Sequence, residues 1–173
     1  ARTMAAQFRT LFDDDRRARS RELGLTPREV VTLASVIEKE TGATQERPLI
    51  GSVFWNRLKR GMPLGSDPTI IYALKLASRF DGNLRRVDLE IDSPYNTYRF
   101  AGLPPGPIAS PGEAAIEAVL QPAESGYLYF VSKNDGTHHF SKTLREHSAA
   151  VRKYQVEYFR QKRRNRNNGA SSP

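Results

Sequence analysis

The chain has 173 residues, 38% of them hydrophobic, and a mean hydropathy of −0.59, values that fit one soluble domain with a real core and polar ends. It contains no cysteine, which excludes disulfides, thiol catalysis and Cys-ligated zinc; no apolar run approaches the roughly 18 residues of a membrane span, and ARTMAAQFRT lacks a signal-peptide core. The formal charge of +8 is concentrated, because Arg160, Lys162, Arg163, Arg164 and Arg166 crowd one terminal tail, so it describes a solvated end better than a nucleic-acid surface.

Met4, Phe8, Leu11 and Phe12 recur at helical spacing, which predicts a first helix over 4–23 whose later half is charged all round. Thr26, Pro27 and Glu29 form a capping box with proline at the first helical position, so a second helix starts there and runs to about Thr41, with Gly42 as its stop. A third helix is expected over 46–60 with Ile50, Val53, Phe54 and Leu58 on its apolar stripe. After the loop MPLGSDPT, Asp67 caps a fourth helix and Pro68 opens it.

Residues 81–112 hold most of the proline and glycine and show no helical period. An irregular stretch of that length in a compact domain is usually functional. Ser110 to Glu113 repeats the capping-box pattern and opens a short helix to about Leu120. YLYFVS (127–132), the turn Asn134-Asp135-Gly136 and HHFS (138–141) predict a β-hairpin. A last helix from Lys142 to about Arg160 carries Leu144, Val151, Tyr154 and Tyr158, and residues 159–173 are expected as a disordered basic tail. The fold class is therefore α+β, mainly helical, with at least one small hairpin.

The helix VVTLASVIEKE places two acids beside its buried stripe of Val30, Leu33, Ala34 and Ile37. Glu38 falls at one margin and Glu40 at the other. Either could be desolvated enough to serve as a general acid, and either could equally be a solvated boundary residue. Periodicity does not choose between them. Two loops add Ser66, Asp67, Tyr95, Asn96, Thr97 and Tyr98, whose aromatic, hydroxyl and amide groups suit sugars. Their plain structural reading is that Asp67 caps a helix and Asn96 closes a turn. His138 and His139 are neighbours on a strand and point to opposite faces, so they do not share an ion, and no metal site is expected.

Taken together, LASVIEKETG, VFWNRLKRGMPLGSDPTIIYAL, DSPYNTYRFAGLPPGPIASPGEAAIEAVLQP and YLYFVSKNDGTHHFSKTLREH resemble, in order and spacing, the YceG-like family of endolytic murein transglycosylases. The resemblance spans about residues 24–155. It implies a lysozyme-like helical core for a catalytic domain over 24–158, preceded by a linker helix over 1–23. It further implies a lytic transglycosylase that cuts nascent peptidoglycan between MurNAc and GlcNAc, leaves a 1,6-anhydro-MurNAc end and terminates glycan elongation.

The partners it implies are peptidoglycan strands and the peptidoglycan synthases, with no nucleic acid and no cofactor. Its place is the outer face of the bacterial cell membrane, held by an N-terminal anchor outside this chain. The resemblance selects Glu38 as the catalytic acid, with Glu40 as a supporting acid; Ser66, Asp67, Tyr95, Asn96 and Thr97 stand beside them as the substrate-binding candidates that the two loops offer. The family often has Gln before Ser-Asp-Pro, where this chain has Gly65. His138 matches a recurrent family histidine and His139 does not. The alternatives are a two-carboxylate muramidase using Glu40 or Asp67 as the second acid, and a wall-binding module without activity.

Overall fold

The computed structural model describes residues 12–169, with side chains through Arg164. The expected helix over 4–23 is found from Asp14 to Glu22 (α1), and its stretch 4–11 lies outside the described residues. Helix α2 spans Pro27–Glu40 and opens with the predicted capping box of Thr26 and Glu29. It ends because Thr41 turns extended (φ −142°) rather than through a left-handed Gly42. Helix α3 spans Arg47–Lys59, α4 Asp67–Leu76 and α5 Glu113–Leu120. Strands β1 (Tyr129–Ser132) and β2 (His138–Ser141) pair antiparallel, with Phe130 opposite Phe140. Among the described residues this is the only sheet, so the class is α+β and mainly helical.

Helix α2 is the centre of the core. Val30, Leu33, Ala34, Val36 and Ile37 are fully buried, as are Ile50, Val53 and Phe54 of α3. Their burial is the dominant source of stability, at about 1.5–3 kcal/mol for each large side chain. Helix α3 meets α5 backbone to backbone at Gly51, and Trp55 fixes the contact by donating its indole N–H to Val119 O at 2.8 Å. The hairpin packs on α3 through Phe130, edge-on to Phe54 at 5.9 Å.

Two expectations change. Ser110 and Glu113 do not form a capping box: Gly112 is the N-cap of α5, no side chain caps it, and Glu113 pairs with Arg16 instead. The last helix, α6 (Leu144–Val151), passes through a wider π-turn at Arg152–Glu157 into α7 (Tyr158–Gly169), so most of the tail expected to be disordered is helical. Leu144 and Tyr158 are 62% and 39% exposed, because this terminal helix meets the body on only part of its circumference.

The irregular stretch 81–112 is pinned in two ways. Asn96, wholly buried, donates to the carbonyls of Leu89 and Ile91 and accepts from Tyr98 N. Further on, Ile108 N donates to Ser35 Oγ at 2.9 Å, which lays the segment along α2. The stretch also meets the loop before α4, where Pro63 bridges Ala101 and Gly65 N donates to Thr97 O at 2.8 Å.

Candidate active site

The two acids of α2 have separate surroundings. Glu38 Oε1 accepts from Arg47 Nη2 at 2.9 Å, and its Oε2 accepts from Gly112 N at 3.1 Å. One side chain thus ties together α2, the start of α3 and the start of α5. Each oxygen therefore accepts one donor from the protein itself. The Glu38 and Arg47 side chains are 25% and 12% exposed, so the pair is largely shielded from water. Glu38→Gln is expected to cost about 1–3 kcal/mol in urea unfolding, because Arg47 keeps its charge and loses its counter-ion.

Glu40, half-buried at the last position of α2, faces the other loops. Ser66 Oγ donates to its Oε1 at 2.5 Å, and among the described residues no donor reaches its Oε2. Burial pushes the Glu40 carboxyl up to about 7; the Ser66 hydrogen bond opposes this, the Asp67 charge adds to it and Arg57 opposes it. A carboxyl of this kind holds its proton near neutral pH and can still release it, the property a general acid needs.

Ser66 shows how the fold serves this arrangement. It stands at the N-cap of α4, the position expected for Asp67, yet its hydroxyl caps nothing. That hydroxyl would ordinarily bond an N–H of the first turn, and losing such a cap costs about 1 kcal/mol. Here it is diverted to Glu40, a local rule broken where function is expected. Gly65, with φ +58°, makes the bend that aims Ser66; a Cβ there would lie 3.1 Å from Arg57 Nη1. Arg57 closes the floor, donating from Nε to Leu128 O and from Nη1 to Leu64 O.

The other predicted site residues divide. Asp67 is exposed beside this pair and accepts from the Tyr98 hydroxyl at 2.6 Å. Asn96 and Thr97, expected to meet substrate, are only 0% and 2% exposed, and Ser66 is 1% exposed. Thr97 Oγ1 accepts from Ser66 N at 3.0 Å and bonds Thr69 Oγ1 at 2.8 Å. Asn96 and Thr97 are therefore the frame of the loop, too deep to touch a sugar. Tyr95 leans on the Tyr72 ring at 4.8 Å and borders Gly106; none of its described contacts is with either glutamate. Ser66, Asp67 and the 93–100 loop thus gather at Glu40, while Glu38 faces Arg47 and Gly112.

Tyr98, from the same YNTY loop, joins the site through its hydroxyl on Asp67. With Phe100 it offers exposed aromatic surface, at 40% and 47%. His138 is bound to Glu46, Nδ1 to Oε2 at 2.6 Å, while His139 faces Tyr154. A groove of about 680 Å³ bordered by Leu25, Arg28, Trp55, Leu103 and Pro105 opens at the start of α2, the opposite end of that helix from both acids.

Comparison with known proteins adds to this geometry. A family model described as the YceG-like family matches residues 1–153. A Bacillus subtilis (strain 168) protein named endolytic murein transglycosylase is 50% identical over 125 residues, covering 72% of this chain and 34% of its own length. A protein of the same name from Streptococcus pneumoniae (strain D39) is 42% identical over 130 residues, covering 73% of this chain and 24% of its own. The chain therefore spans about a third or less of these curated relatives. The crystal structure of a YceG-like protein from Listeria monocytogenes matches with a TM-score of 0.70 at 42% identity, over 79% of this chain and 43% of that one.

Proposed function

This chain belongs to the YceG-like family, and from that premise we propose that it cuts peptidoglycan glycan strands as an endolytic lytic transglycosylase, with Glu40 as the single acid/base. The observation that carries the choice of residue is the Ser66–Glu40 pair. One carboxyl oxygen is fixed by the serine, the other has no donor from the described residues, and burial raises the group to about 7. The assignment to Glu38, which the family resemblance suggested, moves by two residues. Glu38 becomes the clamp that fixes the end of α2 through Arg47 and Gly112.

An ordinary glycosidase needs two carboxylates. A lytic transglycosylase manages with one, because the muramic acid residue brings its own nucleophile, the C6 hydroxyl. Protonated Glu40 donates from its free oxygen to the oxygen between MurNAc C1 and GlcNAc. The C1–O bond breaks, with its electron pair on the leaving oxygen. The C6 oxygen closes on C1, and its proton passes to the Glu40 carboxylate, which restores the acid and leaves a 1,6-anhydro end. Tethering of O6 to the same ring gives it a high effective molarity, so no positioned water is required. The Asp67 carboxylate, beside Glu40, faces the positive charge that develops at C1.

Asp67 also gives the two-carboxylate hydrolase its best footing, as the base that would activate water. Mass spectrometry of the cut strands decides between them. Anhydro ends are expected; ends heavier by one water would transfer the assignment to the hydrolase. The site of action we infer is the outer face of the cell membrane, where nascent strands and their synthases lie. Among the described residues no helix is long and apolar enough to cross a membrane.

A further inference from the structure

We propose that Tyr98 is a positioning residue whose hydroxyl holds the Asp67 carboxylate against the Ser66–Glu40 pair, making the 96–98 loop part of the acid's environment. The proposal rests on the reading of Glu40 as the acid only for its catalytic consequence; the arrangement itself is geometric.

The geometry is a closed set of bonds. Asn96 and Thr97 are buried and fully engaged, and Thr97 is stitched to the α4 start at Gly65, Ser66 and Thr69. Tyr98 N is held on Asn96 Oδ1 at 3.0 Å, so the tyrosine leaves the loop in a fixed direction. Its hydroxyl then reaches Asp67 Oδ1 at 2.6 Å. Asp67 directly follows Ser66, whose hydroxyl is on Glu40 at 2.5 Å. The path from the buried frame to the acid thus runs through Thr97 and Ser66 on one side and Tyr98 and Asp67 on the other.

Nothing else described holds the Asp67 side chain. It is exposed, it sits in the first turn of α4, and its side-chain hydrogen bond is the one from Tyr98. An exposed carboxylate without that donor would spend its time in water, away from Glu40. Held in place, it disfavours a second negative charge beside it and so supports protonated Glu40. The charged and titratable groups around Glu40 are Arg57 from α3, Asp67 from α4 and Tyr98 from the loop, with Tyr129 and His147 further out around Arg57. Arg57 works in the opposite sense and is itself fixed on main-chain carbonyls, so Asp67 is the adjustable member of the set. Burial comes first and the hydrogen bond to Asp67 second in pushing the Tyr98 phenol up, which keeps it a donor throughout the working range.

Tyr98→Phe removes the hydroxyl and keeps the ring, which separates this role from sugar stacking. The Glu40 titration is followed by the carbonyl-carbon signal of ¹³C-labelled glutamate in the native protein, Tyr98→Phe, Asp67→Asn and the double variant. In Tyr98→Phe the midpoint is expected to fall by about half a pH unit or more, because the neighbouring charge is released. It should fall at least as far in Asp67→Asn, with no further fall in the double variant. In glycan cleavage the alkaline limb of kcat/KM should move with it, at little change in KM. A Glu40 midpoint unmoved in Tyr98→Phe, or two shifts that simply add, overturns the proposal. The titration is read without turnover, so it stands or falls separately from the role of Glu40, which the Glu40→Gln activity decides.

Discussion

Glu40→Gln is expected to lower glycan cleavage by about 10²–10⁴-fold, the usual worth of a positioned general acid, and at the same time to stabilise the fold at alkaline pH. The two effects have one origin. In the folded protein burial raises the carboxyl from 4.5 to about 7. Between those values the folded state binds more protons than the unfolded chain, so stability falls as pH rises through that window and levels off above it. The loss amounts to at most about 3 kcal/mol, since each pKa unit is about 1.4 kcal/mol and a half-buried group is partly screened. Gln carries no charge and escapes it. Urea unfolding should therefore show the variant equal to the native protein near pH 4 and more stable at pH 8. In the native enzyme kcat/KM should decline above about pH 7 as the acid loses its proton. A variant that is inactive and less stable at every pH would mean that Glu40 is a structural acid.

The second large effect concerns the frame that carries the acid. Gly51→Ala is expected to destabilise the protein by about 3 kcal/mol, the upper part of the range for overpacking a filled core. Alanine in a helix is ordinarily better than glycine by about 1 kcal/mol. At this position the added Cβ would stand 2.3 Å from the carbonyl oxygen of Ala118 and 3.5 Å from Ile37 Cδ1. The nearest obstacle is main chain and cannot swing aside, so α3 and α5 must separate. Trp55 would lose its bond to Val119 O, and the start of α5, which meets Glu38 at Gly112, would move with it. A urea midpoint at or above the native value would show that the two helices part without cost.

Much of this fold was legible in the sequence because its signals are local. The Thr26–Glu29 capping box, the Val30–Ile37 stripe and the Asn134–Gly136 turn each depend on residues within a few positions, and each is found as expected. The α5 start was misread because Ser110 and Glu113 satisfy a local pattern that a distant residue overrides: Arg16, nearly a hundred residues away, takes Glu113. The exposure of Leu144 and Tyr158 was not legible either, because periodicity tells which residues share a face, not whether a partner covers it.

The site was legible as a list and not as a geometry. Ser66, Asp67 and the 93–98 loop were all recognised, but nothing local says that the loop's amide and threonine point inward while its tyrosine points at Asp67. The two acids of EKE lie at opposite margins of one stripe, so the pattern left them equal. What separates them is which long-range partner each meets: Arg47 and Gly112 for Glu38, Ser66 for Glu40. Ser66 gave no such sign, since Asp67 reads as the cap of the helix that follows, and the turn of the Ser66 hydroxyl to Glu40 is visible only in three dimensions.

The most direct measurement compares Glu38→Gln and Glu40→Gln side by side on purified glycan strands, with the anhydro ends counted by mass spectrometry and folding checked by circular dichroism. The expected result is that Glu40→Gln is folded and silent, while Glu38→Gln, though less stable, still releases anhydro ends under conditions where it is folded. A folded, silent Glu38→Gln beside an active Glu40→Gln would contradict this account and return the acid to the first glutamate of the pair.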